Sequence, residues 1–197
     1  MYGRLMPKTP LASGRKLKMP KLDLKPALTA AMERLKTALQ ERLQEQGHRL
    51  TGSLEKSLQY EVKPAPDGYT AVMTSAEYGI YVEFGVRAAR IPYGGRTGRG
   101  GKSKYIEGLI RYFQLRGLPQ REAQRAAFAT ANVHRREGMP TRASYRFSRN
   151  GERTGFVRSV LTENLDEIAG IIAERAGAQI TINLADVIRL AKFTVPV

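Results

Sequence analysis

Leu24, Leu28, Ala31, Leu35, Leu39 and Leu43 recur at steps of three and four. That spacing gathers them on one side only if the segment is helical. It predicts a helix over residues 23–46, with Asp23 as N-cap, Pro26 in the first turn and Gly47 at its end. At 1.5 Å per residue the helix would be roughly 35 Å long, enough to cross a small domain. Its apolar face must then be covered by other parts of the chain.

Several segments can cover it. Val160, Leu161, Leu165, Ile168, Ile171 and Ile172 mark the inward side of a second long helix over 158–176. Strands are expected at 58–63 and 69–74, around Pro66-Asp67-Gly68, and Asp-Gly is a strong hairpin signal. Tyr60, Val62, Ala71 and Met73 share one face of that hairpin and are candidates for burial. The run AEYGIYVEFG, residues 76–85, reads as a short helix or an extended-to-helical segment ending at Gly85. Helices at 104–115 and 119–135, joined by Gly117-Leu118-Pro119, read as an antiparallel pair. Ile106, Leu109, Ile110 and Phe113 would face Ala123, Ala127 and Ala131 across it. Ile180, Ile182 and Leu184 alternate as in a strand, and the last residues read as a helical turn and a further strand. The expected fold class is α+β: a small antiparallel sheet packed by the long N-terminal helix and further helices, with a flexible basic arm and loops. The arm takes residues 1–21. One domain takes 22–197, interrupted by a basic Gly-rich loop at 86–104 and the helical hairpin at 104–135.

The charge is segregated. The chain has 197 residues and a formal net charge of +15. Residues 1–20 carry Arg4, Lys8, Arg15, Lys16 and Lys18 with no acid. Residues 86–105 carry Arg87, Arg90, Arg96, Arg99, Lys102 and Lys104 with no acid. Residues 135–153 carry six arginines against Glu137 and Glu152. These three stretches supply the whole excess, so the remaining 138 residues are neutral. They also hold nine of the 19 glycines and five of the 10 prolines, which marks them as irregular. Such segments are suited to a polyanion or to the acidic surface of a neighbour. No recognition helix, RNA-binding aromatic motif or zinc finger accompanies them, so any contact with DNA should be non-specific.

Nothing in the pattern calls for catalysis or a cofactor. Without cysteine there can be no disulfide or thiolate zinc site. His48 and His134 have no second ligand at metal spacing and read as surface or cap residues. Glu41/Glu45 and Glu163/Glu167 read as solvated helix faces rather than a carboxylate pair in a cleft. Ser53, Ser57, Ser75 and Ser103 lack a base partner. Gly101-Lys102-Ser103 resembles the end of a phosphate-binding loop, but Arg96 stands where its first glycine is needed. No run approaches the roughly 18 apolar residues of a membrane span, so no membrane contact is expected. The basic N-terminus has no apolar core segment, so no secretory signal is expected and cytosolic synthesis is the default.

Tyr78, Tyr81, Val82 and Phe84 make 76–85 the most aromatic stretch in the chain. They are candidates either for core packing or for a subunit interface, with core expected for Tyr81 and Phe84.

Thr51-Gly52-Ser53-Leu54, then Ser57-Leu58, a hairpin, and Ala76-Glu77-Tyr78-Gly79-Ile80-Tyr81-Val82-Glu83-Phe84-Gly85 resemble the tail-completion proteins of tailed double-stranded DNA phages, including the minor tail protein Z group. The resemblance spans about residues 24–176. Members usually carry Thr after Glu-Phe-Gly, where this chain has Val86. The pair of helices at 104–135 looks like an insertion found in a subset. The resemblance implies a non-catalytic virion protein at the head–tail neck or tail top. It implies a ring, commonly sixfold, around the DNA channel, touching adjoining neck and tail proteins. The alternative is a free, non-specific nucleic-acid-binding protein using the same basic segments.

Overall fold

The leucine face forms a helix as its spacing requires. The computed structural model describes residues 24–66, 68–95 and 103–176. In it α1 runs over Lys25–Glu45, with Leu24 as N-cap and Pro26 in the first turn. Asp23, the expected cap, lies outside the described residues. Gly47 closes the helix in the left-handed region at φ +75°. The His48 N–H donates to the Leu43 carbonyl at 2.9 Å and the Gly47 N–H to that of Gln44 at 3.0 Å, the paired bonds of a Schellman motif.

The partner of α1 is α6, Phe156–Ala176. Ala38, Leu39 and Leu43 pack with Phe156 and Val160, and Ala27 and Ala31 pack with Ile168 and Ile172. Rising numbers on one helix meet falling numbers on the other, so the pair is antiparallel. The small Ala27 and Ala31 let α6 approach closely. Leu43 and Phe156 are almost wholly enclosed, and emptying such a leucine site costs about 2–5 kcal/mol. Polar links run alongside: Arg34 donates to both Glu167 carboxylate oxygens, at 2.7 and 2.9 Å, and Arg42 pairs with Glu163. Glu163 and Glu167 are exposed, as expected of a solvated helix face, and from there they also link α6 to α1. The Arg34 bond holds Glu167 below the usual carboxylate range.

The sheet is a two-stranded antiparallel hairpin, β1 Gln59–Ala65 and β2 Gly68–Thr74. Tyr60 pairs with Met73 and Val62 with Ala71. All four are half-buried on the face toward α1, as the alternation predicts. A lone hairpin is marginal in water, so its order depends on α1. Met73 reaches the main core, and the Tyr60 hydroxyl donates to Glu33 at 2.5 Å. Ala65 pairs directly with Gly68 at the end of the hairpin; Asp67 of the expected Asp-Gly turn lies outside the described residues. Pro66 takes the first turn position, which its fixed φ suits.

Between α1 and the hairpin lies α2, Ser53–Ser57, a helix too short for periodicity to announce. It buries Leu54, and Leu58 just past its end is buried too. The Ser57 hydroxyl donates to the Leu54 carbonyl and accepts from the Ala76 N–H. Of the Thr-Gly-Ser-Leu element, Leu54 serves packing, while Thr51 and Ser53 are exposed.

The expected helical pair is present as α4, Lys104–Leu115, and α5, Gln120–Glu137. It has its own apolar core of Ile106, Ile110, Ala123, Ala127 and Ala131. The expected strand from 177 onward and the N-terminal arm with Arg4, Lys8, Arg15, Lys16 and Lys18 lie outside the described residues, as do Arg96, Arg99 and Lys102.

Candidate partner-binding cleft

The aromatic stretch forms α3, Gly79–Phe84. Gly79 is buried where a side chain would meet Leu54 and Ser75. Val82 packs half-buried against the core. With those two residues inward, the i, i+3 pair Tyr81 and Phe84 faces out, at 61% and 60% exposure. This corrects the expectation that they are core residues: a six-residue helix has one inward side, and a glycine occupies part of it. Tyr78 is exposed as well.

Glu83 has a structural task that composition did not signal. Its carboxylate accepts the backbone N–H of Val157 at 2.7 Å and of Arg158 at 3.2 Å. Its own carbonyl accepts the Gly155 N–H at 2.8 Å. A carboxylate from α3 thus caps the first turn of α6, where free N–H groups and the helix dipole favour negative charge. Gly85 then turns the chain at φ +70°, and a side chain there would strike the Met139 carbonyl. Next to it Val86 and Met139 exchange two backbone hydrogen bonds, of 2.7 and 2.8 Å, fastening the end of α5 to α3.

Residues 136–153 were expected to form a basic loop; Arg136 and Glu137 instead end α5, and the chain from 138 to 155 is not loose. It forms a fastened strap, with a 3₁₀ turn at Arg142–Phe147. The Arg149 N–H donates to the Glu45 carbonyl at 2.7 Å. The Gln46 side chain, 0% exposed, donates to the Thr154 carbonyl at 2.8 Å. Arg153 donates to the Gln46 carbonyl, and His48 bonds the Arg153 carbonyl at 3.1 Å. Backbone and side-chain groups at the end of α1 therefore hold the strap in place.

Strap, α3 and the helical pair enclose a cleft of about 600 Å³. Val82, Leu109, Phe113, Met139 and Pro140 give it an apolar floor. A second hollow of about 460 Å³ adjoins it, and both are lined by His48, Tyr78, Tyr112, Arg116, Phe147 and Arg153. Arg116 lies over the rings of Tyr112 and Phe147, at 5.0 and 5.4 Å, and Arg146 lies over Phe147 at 4.8 Å. Arg153 is half-buried with its Nε unpartnered. Burial pulls it below the ordinary arginine range, and the nearby Arg116 adds to this. No Asp or Glu among the described residues lines either hollow.

Neither histidine is a plain surface residue. His48 and His134 line the cleft, and burial holds both below the usual histidine value. Tyr105, pushed up to about 12 by burial, sits with its hydroxyl 2.7 Å from His134 Nδ1. Ser103 is the N-cap of α4, its Oγ accepting the Ile106 N–H at 3.3 Å. Arg87, Arg90 and Lys104, which flank the glycine-rich loop, are exposed and lie outside the cleft. Among the described residues no group of three His, Cys, Asp or Glu could hold a metal ion, and no helix is long and apolar enough to cross a membrane. Sequence reasoning missed Tyr112, Arg116 and Phe147 as one site. The only signal was the arginine density of 135–153.

No protein-family model, curated protein or solved structure matches the chain.

Proposed function

We propose that this chain is a non-catalytic structural protein of a phage virion, one subunit of a ring around the DNA channel at the head–tail neck or tail top. The observation that carries the reading is the outward display of Tyr81 and Phe84 within the segment bearing the resemblance. Isolated exposed apolar residues are ordinary. Two large rings side by side, with Tyr78 next to them, form a patch of the kind found where subunits meet. In a cyclic ring one face of a subunit meets a different face of the next. The exposed Arg87, Arg90 and Lys104 suit DNA or acidic surfaces of adjoining neck and tail proteins.

Sedimentation and native mass spectrometry test this on the full chain. A ring is expected for the wild type, and Phe84→Asp, at an exposed position, should reduce it to monomers with unchanged circular dichroism. A wild-type monomer whose DNA affinity falls steeply with salt would instead favour a free nucleic-acid-binding protein. Absence of the chain from purified particles of its phage would end the virion assignment.

A further inference from the structure

The cleft has an electrostatic character that its own chain does not satisfy. Arg116, Arg146 and Arg153 make no ion pair with a carboxylate among the described residues. Arg153 is half-buried, carries an unpartnered buried Nε and has Arg116 as a like-charged neighbour. A partly desolvated cation without a counter-charge is costly. It becomes favourable when an anion arrives. The hollow beneath is apolar, and its volume of about 600 Å³ lies within the roughly 300–1,000 Å³ of ligand pockets.

Both features must be met by one occupant. Free phosphate would leave the apolar floor empty. Stacked bases need open ring faces, but guanidinium groups already lie over Tyr112 and Phe147. An arginine stacked this way still has its N–H fork free at the edge, the geometry that grips a carboxylate. We infer that the cleft docks an acidic peptide segment of a partner protein, with a large apolar side chain in the hollow and carboxylates against Arg116, Arg146 and Arg153. This inference does not rest on the ring: Tyr78 and Tyr81 border the cleft as well as the exposed patch, but Arg116, Arg146 and Arg153 are no part of that patch, and peptide binding needs no particular oligomeric state.

The test is fluorescence anisotropy on the full chain at about 0.15 M salt, where long-range attraction is largely screened. The probe is a short labelled peptide alternating glutamate or aspartate with phenylalanine and leucine. Arg116→Glu with Arg146→Glu should weaken binding by roughly tenfold or more, and Arg116→Gln with Arg146→Gln should do so less severely. The glutamine/asparagine version of the peptide should also bind at least about tenfold more weakly. Arg121→Glu with Arg125→Glu, exposed on α5 and lining neither hollow, removes equal charge outside the cleft and should leave binding unchanged. Thermal melts separate loss of fold from loss of binding, and the glutamine pair gives the reading should the glutamate pair unfold. The inference is overturned by no binding to the wild type, or by equal loss in the Arg121/Arg125 variant. It also fails if a peptide with alanine in place of phenylalanine and leucine binds as well, or if oligothymidylate displaces the probe and itself depends on Arg116.

Discussion

Glu83 and Val157, 74 residues apart, are joined by a 2.7 Å hydrogen bond from the Val157 N–H to the Glu83 carboxylate. The bond makes the orientation of α3 and the start of α6 one event. Removing a capping side chain typically costs about 0.5–2 kcal/mol. Glu83→Ala should therefore lower the unfolding free energy from urea titration by about 0.5–2 kcal/mol, read as a lower urea midpoint at unchanged slope. Glu83→Gln keeps an acceptor oxygen and should lose less. If α3 is set by its apolar contacts alone, both variants will unfold at the wild-type midpoint.

Much of this architecture can be read from spacing. Ala31, Leu39 and Leu43 of α1 and Val160, Ile168 and Ile172 of α6 are buried as their periodicity demands, with Leu24, Leu28, Leu35, Leu161, Leu165 and Ile171 half-buried beside them, and the alanine stripe of α5 packs with Ile106 and Ile110. These are long helices, in which many residues repeat one signal. The misread elements are short or depend on backbone. In α3 a glycine holds the inward position and turns Tyr81 and Phe84 outward, a choice that hydrophobicity cannot register. The strap is held by the carbonyls of Glu45 and Gln46 and, through its own carbonyls, by the side chains of Gln46 and His48, and backbone acceptors leave no trace in composition. The cleft was hidden because His48, Tyr78, Tyr112, Arg116, Phe147 and Arg153 come from separate segments that only the folded strap brings together.

His48 and His134 make stability depend on pH, and the sign is fixed. Burial lowers both from the ordinary 6.5, Arg153 adding to the effect at His48 and Glu137 opposing it at His134. Below about 6.5 the unfolded chain binds more protons than the folded one, so stability must fall as pH drops from there toward the folded values. Glu167 contributes in the same direction only below its ordinary 4.5. Urea midpoints at about pH 7.5 and pH 5.5 should therefore differ, with the lower value in acid. His48→Gln with His134→Asn should flatten the dependence. A slope unchanged in the double variant would assign the effect to other groups.

The helical pair α4–α5 and the α1–α6 body bury separate sets of side chains, Ile106 to Ala131 in one and Ala27 to Ile172 in the other. They meet through the Val86–Met139 bridge and the strap rather than through a shared apolar core. Separate cores favour separate opening. Ile110 is buried within the pair, and Ile110→Ala should cost about 2–5 kcal/mol locally. Amide hydrogen exchange followed by mass spectrometry should then show protection lost across 104–137 while 27–43 and 156–172 remain as slow as in the wild type. If α1 and α6 accelerate together with α4 and α5, the two cores open as one cooperative unit and the bridge and strap couple them more tightly than their few hydrogen bonds suggest.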